Sequence, residues 1–149
     1  MTRAIPPAIP SDIPVEAPSV TEDDIARLVD HFYGLVRDDA DLGPIFAAKI
    51  ADWGPHLTTM RDFWSSVMRK TGRFHGQPMP KHAALVPLVT PRHFEVWLAL
   101  FRQAAAEVCT PAAAAAFIDR AERIAQSLQL GMYGLSARGP GLPVRPSAP

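Results

Sequence analysis

Proline placement constrains this chain more than any other feature. Nine of its sixteen prolines fall in two terminal segments, residues 1–20 and 135–149. Proline cannot donate to a helix or sheet ladder, and both segments are poor in large apolar groups, so they read as extended or disordered tails. The other prolines fall where the chain starts or stops a helix. Thr90-Pro91 and Thr110-Pro111 each pair a capping hydroxyl with a first-turn proline. Pro55 follows Asp52 at a distance tolerated in a first turn, where amides have no helical acceptor. One compact unit, residues 21–134, is left between the tails.

Within it, apolar residues recur at spacings of three and four. Thr21 caps a helix whose face is Ile25, Leu28, Val29, Phe32, Leu35 and Val36, with Glu22, Asp23 and Asp24 favourable in its first turn. That helix is predicted to stop near Asp39, before Gly43-Pro44. A second runs from about Asp52 to Gly72. A third carries Phe94, Trp97, Leu98, Phe101, Ala104, Ala105 and Val108 on one face. A fourth carries Phe117, Ala121, Ile124, Ala125 and Leu128, with Gly131 or Gly134 to end it. A short helical turn is expected after Pro80. No stretch alternates with the two-residue period of a strand, so the fold class is all-α, with four long helices and at least one short one.

Composition excludes several functions. Fifteen basic and fifteen acidic residues balance, which removes the electrostatic case for nucleic acid or an anionic membrane as partner. The single cysteine, Cys109, excludes an internal disulfide framework and a cysteine-rich metal site. Proline interrupts the N-terminal apolar run before it could serve as a signal peptide, and no run of eighteen apolar residues occurs. A soluble cytoplasmic protein is the expectation.

His56 breaks the pattern of the second helix. The stripe Trp53, Leu57, Met60, Phe63, Trp64, Val67 and Met68 is the face a helix turns inward, and His56 falls inside it. A buried imidazole needs a partner or a task. His82 is a second histidine on a separate short segment bounded by Gly76, Pro78 and Pro87. Two histidines among large apolar side chains suggest a flat apolar cofactor between them. An iron porphyrin needs a neutral imidazole on the metal, an apolar slot and cations for its propionates. His82 is the candidate metal ligand, Lys81, Arg69 and Arg73 are candidate propionate partners, and Met60, Phe63 and Trp64 are candidate walls. No H-E-x-x-H spacing or accompanying carboxylate supports a zinc hydrolase.

Six short motifs in order carry a family resemblance. Phe32-Tyr33, Asp41-Leu-Gly-Pro-Ile-Phe46, Trp53-x-x-His56, Phe63-Trp64, Gly76-Gln-Pro-Met-x-x-His82 and His93-Phe-x-x-Trp-Leu-x-Leu-Phe101 resemble the group III truncated haemoglobins. The likeness spans essentially all of 21–134, and the Gly-Gly loop pairs of the other truncated groups are absent. It implies a shortened globin, a two-over-two helical sandwich with one pocket for haem b. His82 then looks like the iron ligand, and Tyr33, His56 and Trp97 like the distal residues that stabilise a bound gas. Phe46 looks like the aromatic that packs on the ring, while Trp97 and His56 also flank the cofactor. The chain departs from the family at Phe74, where relatives often carry tyrosine, and in its proline-rich tails.

The resemblance also implies binding of O2, NO, CO or peroxide. Each neutral hydrogen bond contributes roughly 0.5–1.5 kcal/mol net, so donors at Tyr33 and Trp97 would slow oxygen release by about one to two orders of magnitude. Such a pocket suits reaction, as a nitric oxide dioxygenase or a peroxidase-like protein served by a reductase, better than bulk oxygen transport. His56 could donate to the ligand, gate the pocket or bind iron itself. Two other readings stand beside this one: a cofactor-free helical interaction module, and a gas sensor acting through a separate partner.

Overall fold

A computed structural model of the chain describes residues 19–85 and 88–134. The expected tails lie outside the described residues except for Ser19 and Val20, and Val20 is buried against the core. Six helices occur in order: α1 (Glu22–Asp38), α2 (Leu42–Lys49), α3 (Trp53–Arg69), α4 (Pro78–Ala83), α5 (Pro91–Val108) and α6 (Pro111–Tyr133). No strand occurs among the described residues, and no helix there is long and apolar enough to cross a membrane.

Local chemistry sets the helix starts. Thr21 and Asp24 exchange bonds in a reciprocal cap at 3.0 Å each way. The Asp52 carboxylate accepts from the Gly54 amide at 3.2 Å, and the Thr110 hydroxyl from the Ala113 amide at 3.2 Å. At α5 the Thr90 amide donates to His93 Nδ1 at 3.0 Å, an imidazole taking the place of the usual acidic side chain.

Three boundaries differ from expectation. Gly43-Pro44, expected to mark a break after the first helix, lies instead in the first turn of α2. The Asp39 carboxylate accepts from the Asp41 and Leu42 amides at 2.9 Å, and a proline in a first turn costs no hydrogen bond. Glycine is required at 43 because a Cβ there would stand 2.7 Å from the Arg37 carbonyl oxygen. The second long helix stops at Arg69 rather than Gly72, since Lys70 turns left-handed at φ 59° and Gly72 repeats this at φ 74°. The short helix starts at Pro78, not after Pro80. Of the two glycines proposed to end the last helix, Gly134 does so, at φ 77°.

Packing places α1 against α2, α3 and α5, and α5 against α6, the expected two-over-two stacking. Ala104, Ala105 and Ala121 are fully buried, and such small side chains let helix backbones approach closely. Around them lies an aromatic layer. Phe101 stacks on Trp64 (centroids 5.2 Å, 21°) and on Trp97 (5.6 Å, 15°), while Phe32 meets Phe101 edge-on at 5.2 Å. Trp64 also meets Phe117 edge-on at 5.8 Å, which ties α3 to α6.

A polar tie joins α1 to the end of α3. Buried Ser65 donates to Glu22 at 2.7 Å, and Arg69 and Arg73 pair with the same carboxylate at 2.5 and 3.2 Å. The Ser65 hydrogen bond, with help from both arginines, holds the Glu22 carboxyl below its usual range.

Phe101 packs against the rings of Phe32, Trp64 and Trp97 and has almost no solvent exposure. Phe101→Ala is expected to cost about 3–5 kcal/mol of folding stability, read as a lower urea midpoint with unchanged slope.

Candidate functional site

Beyond the aromatic layer the helices line a partly open cavity of about 460 Å³. That volume falls in the range of roughly 300–1,000 Å³ typical of small-molecule and cofactor sites. Tyr33 reaches it from α1 because consecutive residues Phe32 and Tyr33 both face inward, Phe32 into the core and Tyr33 onto the cavity wall. Ile45, Phe46 and Lys49 come from α2. His56, Met60, Phe63 and Trp64, at spacings of three and four, come from one face of α3. Lys81 and His82 come from α4, His93, Phe94 and Trp97 from α5, and Ile124 and Leu128 from α6.

The polar groups are few and specifically disposed. His82 Nδ1 lies 2.7 Å from the Pro78 carbonyl oxygen. A carbonyl only accepts, so Nδ1 carries the proton and the neutral ring presents the Nε2 lone pair, the arrangement that holds metal-ligating histidines in one tautomer. At His93 the order is reversed: Nδ1 accepts from the Thr90 amide, so the neutral ring carries its proton on Nε2. Burial lifts the Tyr33 phenol far above its ordinary value, so the hydroxyl keeps its proton, and it makes no hydrogen bond among the described residues. The Trp97 ring is fixed between Phe32 (5.4 Å, edge-on) and Phe101, and its indole N–H likewise makes no hydrogen bond there.

His56 Nε2 is buried with no hydrogen-bond partner among the described residues. Its ring stands edge-on to Tyr33 at 5.4 Å and to Trp53 at 5.4 Å. Desolvation pushes its pKa below the ordinary 6.5, so the ring is neutral at neutral pH.

Nine of the eleven residues named from sequence as site candidates line this one cavity: Tyr33, Phe46, His56, Met60, Phe63, Trp64, Lys81, His82 and Trp97. Arg69 and Arg73 do not. Arg69, the last residue of α3, and Arg73, which follows the turn through Lys70 and Gly72, both pair with Glu22 instead. Sequence reasoning passes over Lys49, whose helix it does not foresee, and assigns the wall formed by Ile124 and Leu128 to the core. His93 enters it only as part of a motif.

Among the described residues no Asp or Glu lines the cavity, while two lysines do. Among the described residues no group of three or more His, Cys, Asp or Glu side chains could hold a bare metal ion. The chemistry offered is therefore the oriented Nε2 lone pair of His82, several proton donors and an apolar slot with a cationic margin. It fits a flat apolar molecule that brings its own metal and carries acidic groups at its edge.

Comparison with known proteins agrees in sequence and in shape. The chain is 34% identical over 119 residues to group 3 truncated hemoglobin ctb of Campylobacter jejuni, a match that covers 77% of this chain and 93% of that protein. The crystal structure of group III truncated hemoglobin from Campylobacter jejuni matches with a TM-score of 0.73 at 34% identity, over 77% of this chain and 93% of that one. No protein-family model matches the chain.

The depressed pKa of His56 has a stability consequence. Between its ordinary 6.5 and the lower folded value, the unfolded chain binds the proton that the folded chain refuses, so stability declines as pH falls through that window. The His56 ring carbon signal should titrate below pH 6.5, and His56→Gln should remove that part of the decline. A midpoint at or above 6.5 contradicts the buried, unpaired placement.

Proposed function

The chain belongs to the group III truncated haemoglobins, and on that premise we propose that it holds haem b through His82 and takes up dioxygen and other diatomic gases for reaction rather than transport. Family membership implies a globin fold that binds haem and small gases. The observation that carries the finer reading is a pair of features in one cavity. In its neutral ring His82 presents the Nε2 lone pair, and Tyr33 presents a hydroxyl with no acceptor among the described residues.

Bound haem supplies an iron with a coordination position for a small ligand and a change of oxidation state. The protein contributes the surroundings. The Pro78 carbonyl orients His82 and raises its basicity as a ligand. Phe46, Met60, Phe63 and Trp64 exclude water, which strengthens every dipole inside. Lys81 offers charge to an acidic edge of the cofactor. Tyr33 and Trp97 donate hydrogen bonds from the cavity wall to a polarised ligand, while neutral His56 offers either a proton or a lone pair from α3. Two such donors retard ligand loss by about one to two orders of magnitude, at roughly 0.5–1.5 kcal/mol each.

Slow release suits a reaction class such as conversion of nitric oxide to nitrate, NO + O2 + e⁻ → NO3⁻, or reduction of a peroxide. Either needs electrons from a reductase. The proposed domain organisation is a single globin unit over residues 21–134 flanked by tails, in a cytoplasmic protein.

His82→Gly is expected to abolish stable haem retention, seen as loss of the Soret band after gel filtration. Tyr33→Phe should keep haem bound and speed oxygen dissociation about three- to tenfold, the worth of one hydrogen bond. An unchanged off-rate removes Tyr33 from the proposed role. Nitric oxide added by stopped flow to the oxygenated protein should give nitrate stoichiometrically. Purified chain that shows no Soret band even when supplied with haem overturns the reading as a whole.

A further inference from the structure

His56 is held in a position its own chemistry disfavours. Its Nε2 is buried without a partner among the described residues, and an unmade hydrogen bond draws the ring toward water. Something must oppose that pull. The ring is wedged between Tyr33 on the cavity side and Trp53 outside it, edge-on to both. Tyr33 is buried in the core and is a fixed wall. Trp53 is only partly buried, lies one turn before His56 on α3 and does not line the cavity.

Trp53 is itself clamped. One side stacks on Phe46 (6.2 Å, 21°), and the Arg37 guanidinium stands 4.5 Å from its ring centroid. Exposed Arg37 makes no ion pair among the described residues, so the indole face is its partner. The Arg37 backbone is set by the crossing of α1 and α2, where Gly43 lies so close to the Arg37 carbonyl that no Cβ fits. The helix crossing thereby fixes the backbone from which the cation reaches the indole, and the indole in turn packs on the imidazole.

We propose that Arg37 and Trp53 form a latch that keeps the His56 ring turned into the cavity, so that two residues with no contact with the cavity govern how fast small ligands reach it. This rests on the reading of the cavity as a gas-binding site, and Arg37 and Trp53 act as positioning residues. An exposed cation–π contact is modest, so its loss shifts the balance between inward and outward His56 about two- to fivefold.

Carbon monoxide rebinding after flash photolysis of the haem-loaded full chain tests this. Arg37→Gln should raise the association rate about two- to fivefold, and Arg37→Lys, which keeps the cation, should stay near wild type. In a His56→Ala background Arg37→Gln should change nothing. Equal acceleration with and without His56 means a loosened helix corner and overturns the latch. A second readout needs no cofactor: the ring-current-shifted proton signals of His56 should move toward free-imidazole values in Arg37→Gln. If the chain takes up no haem, the gas-binding reading fails, and this signal still decides the latch. Unmoved His56 resonances overturn it.

Discussion

The stack of Trp64, Phe101 and Trp97 is the constraint on which the rest of the molecule depends. These rings have one face in the core and, for Trp64 and Trp97, another on the cavity. An apolar cavity of this size forfeits the contacts its lining would make if collapsed. It persists only where the surrounding side chains cannot relax inward. Large flat rings locked against Phe32 and Phe117 meet that condition, whereas flexible side chains in the same places would fill the space.

Rigid walls also make the polar groups useful. An imidazole can serve as ligand or donor according to which nitrogen carries the proton, and here backbone partners settle it: a carbonyl for His82, an amide for His93. His56 lacks such a partner and is held by ring packing instead. The cavity thus contains three histidines in three chemical conditions, each traceable to its immediate neighbours. The cationic margin has a similar logic. Lys49 and Lys81 remain available because no acidic side chain among the described residues lines the cavity, whereas Arg69 and Arg73 are committed to Glu22.

Much of this is legible in the sequence. The Thr21, Asp52, Thr90 and Thr110 caps are readable because a cap is a local bond between residues three positions apart or fewer. The inward face of α3, with His56 in it, is readable because helical period alone groups those residues. What escapes is non-local or backbone-borne. The α2 helix depends on the Asp39 carboxylate and on a glycine pressed against another helix, and the end of α3 depends on a left-handed lysine that no propensity marks.

By itself the sequence determined which residues form each helix face and, through six ordered motifs, which family the chain resembles, because both are carried by spacing along one covalent chain. Only the tertiary structure decided which cations reach the cavity, which nitrogen of each histidine is free, and that Arg37 lies over Trp53. Those outcomes depend on distances between elements far apart in the chain, and such distances are set by how the helices cross, which no local pattern encodes.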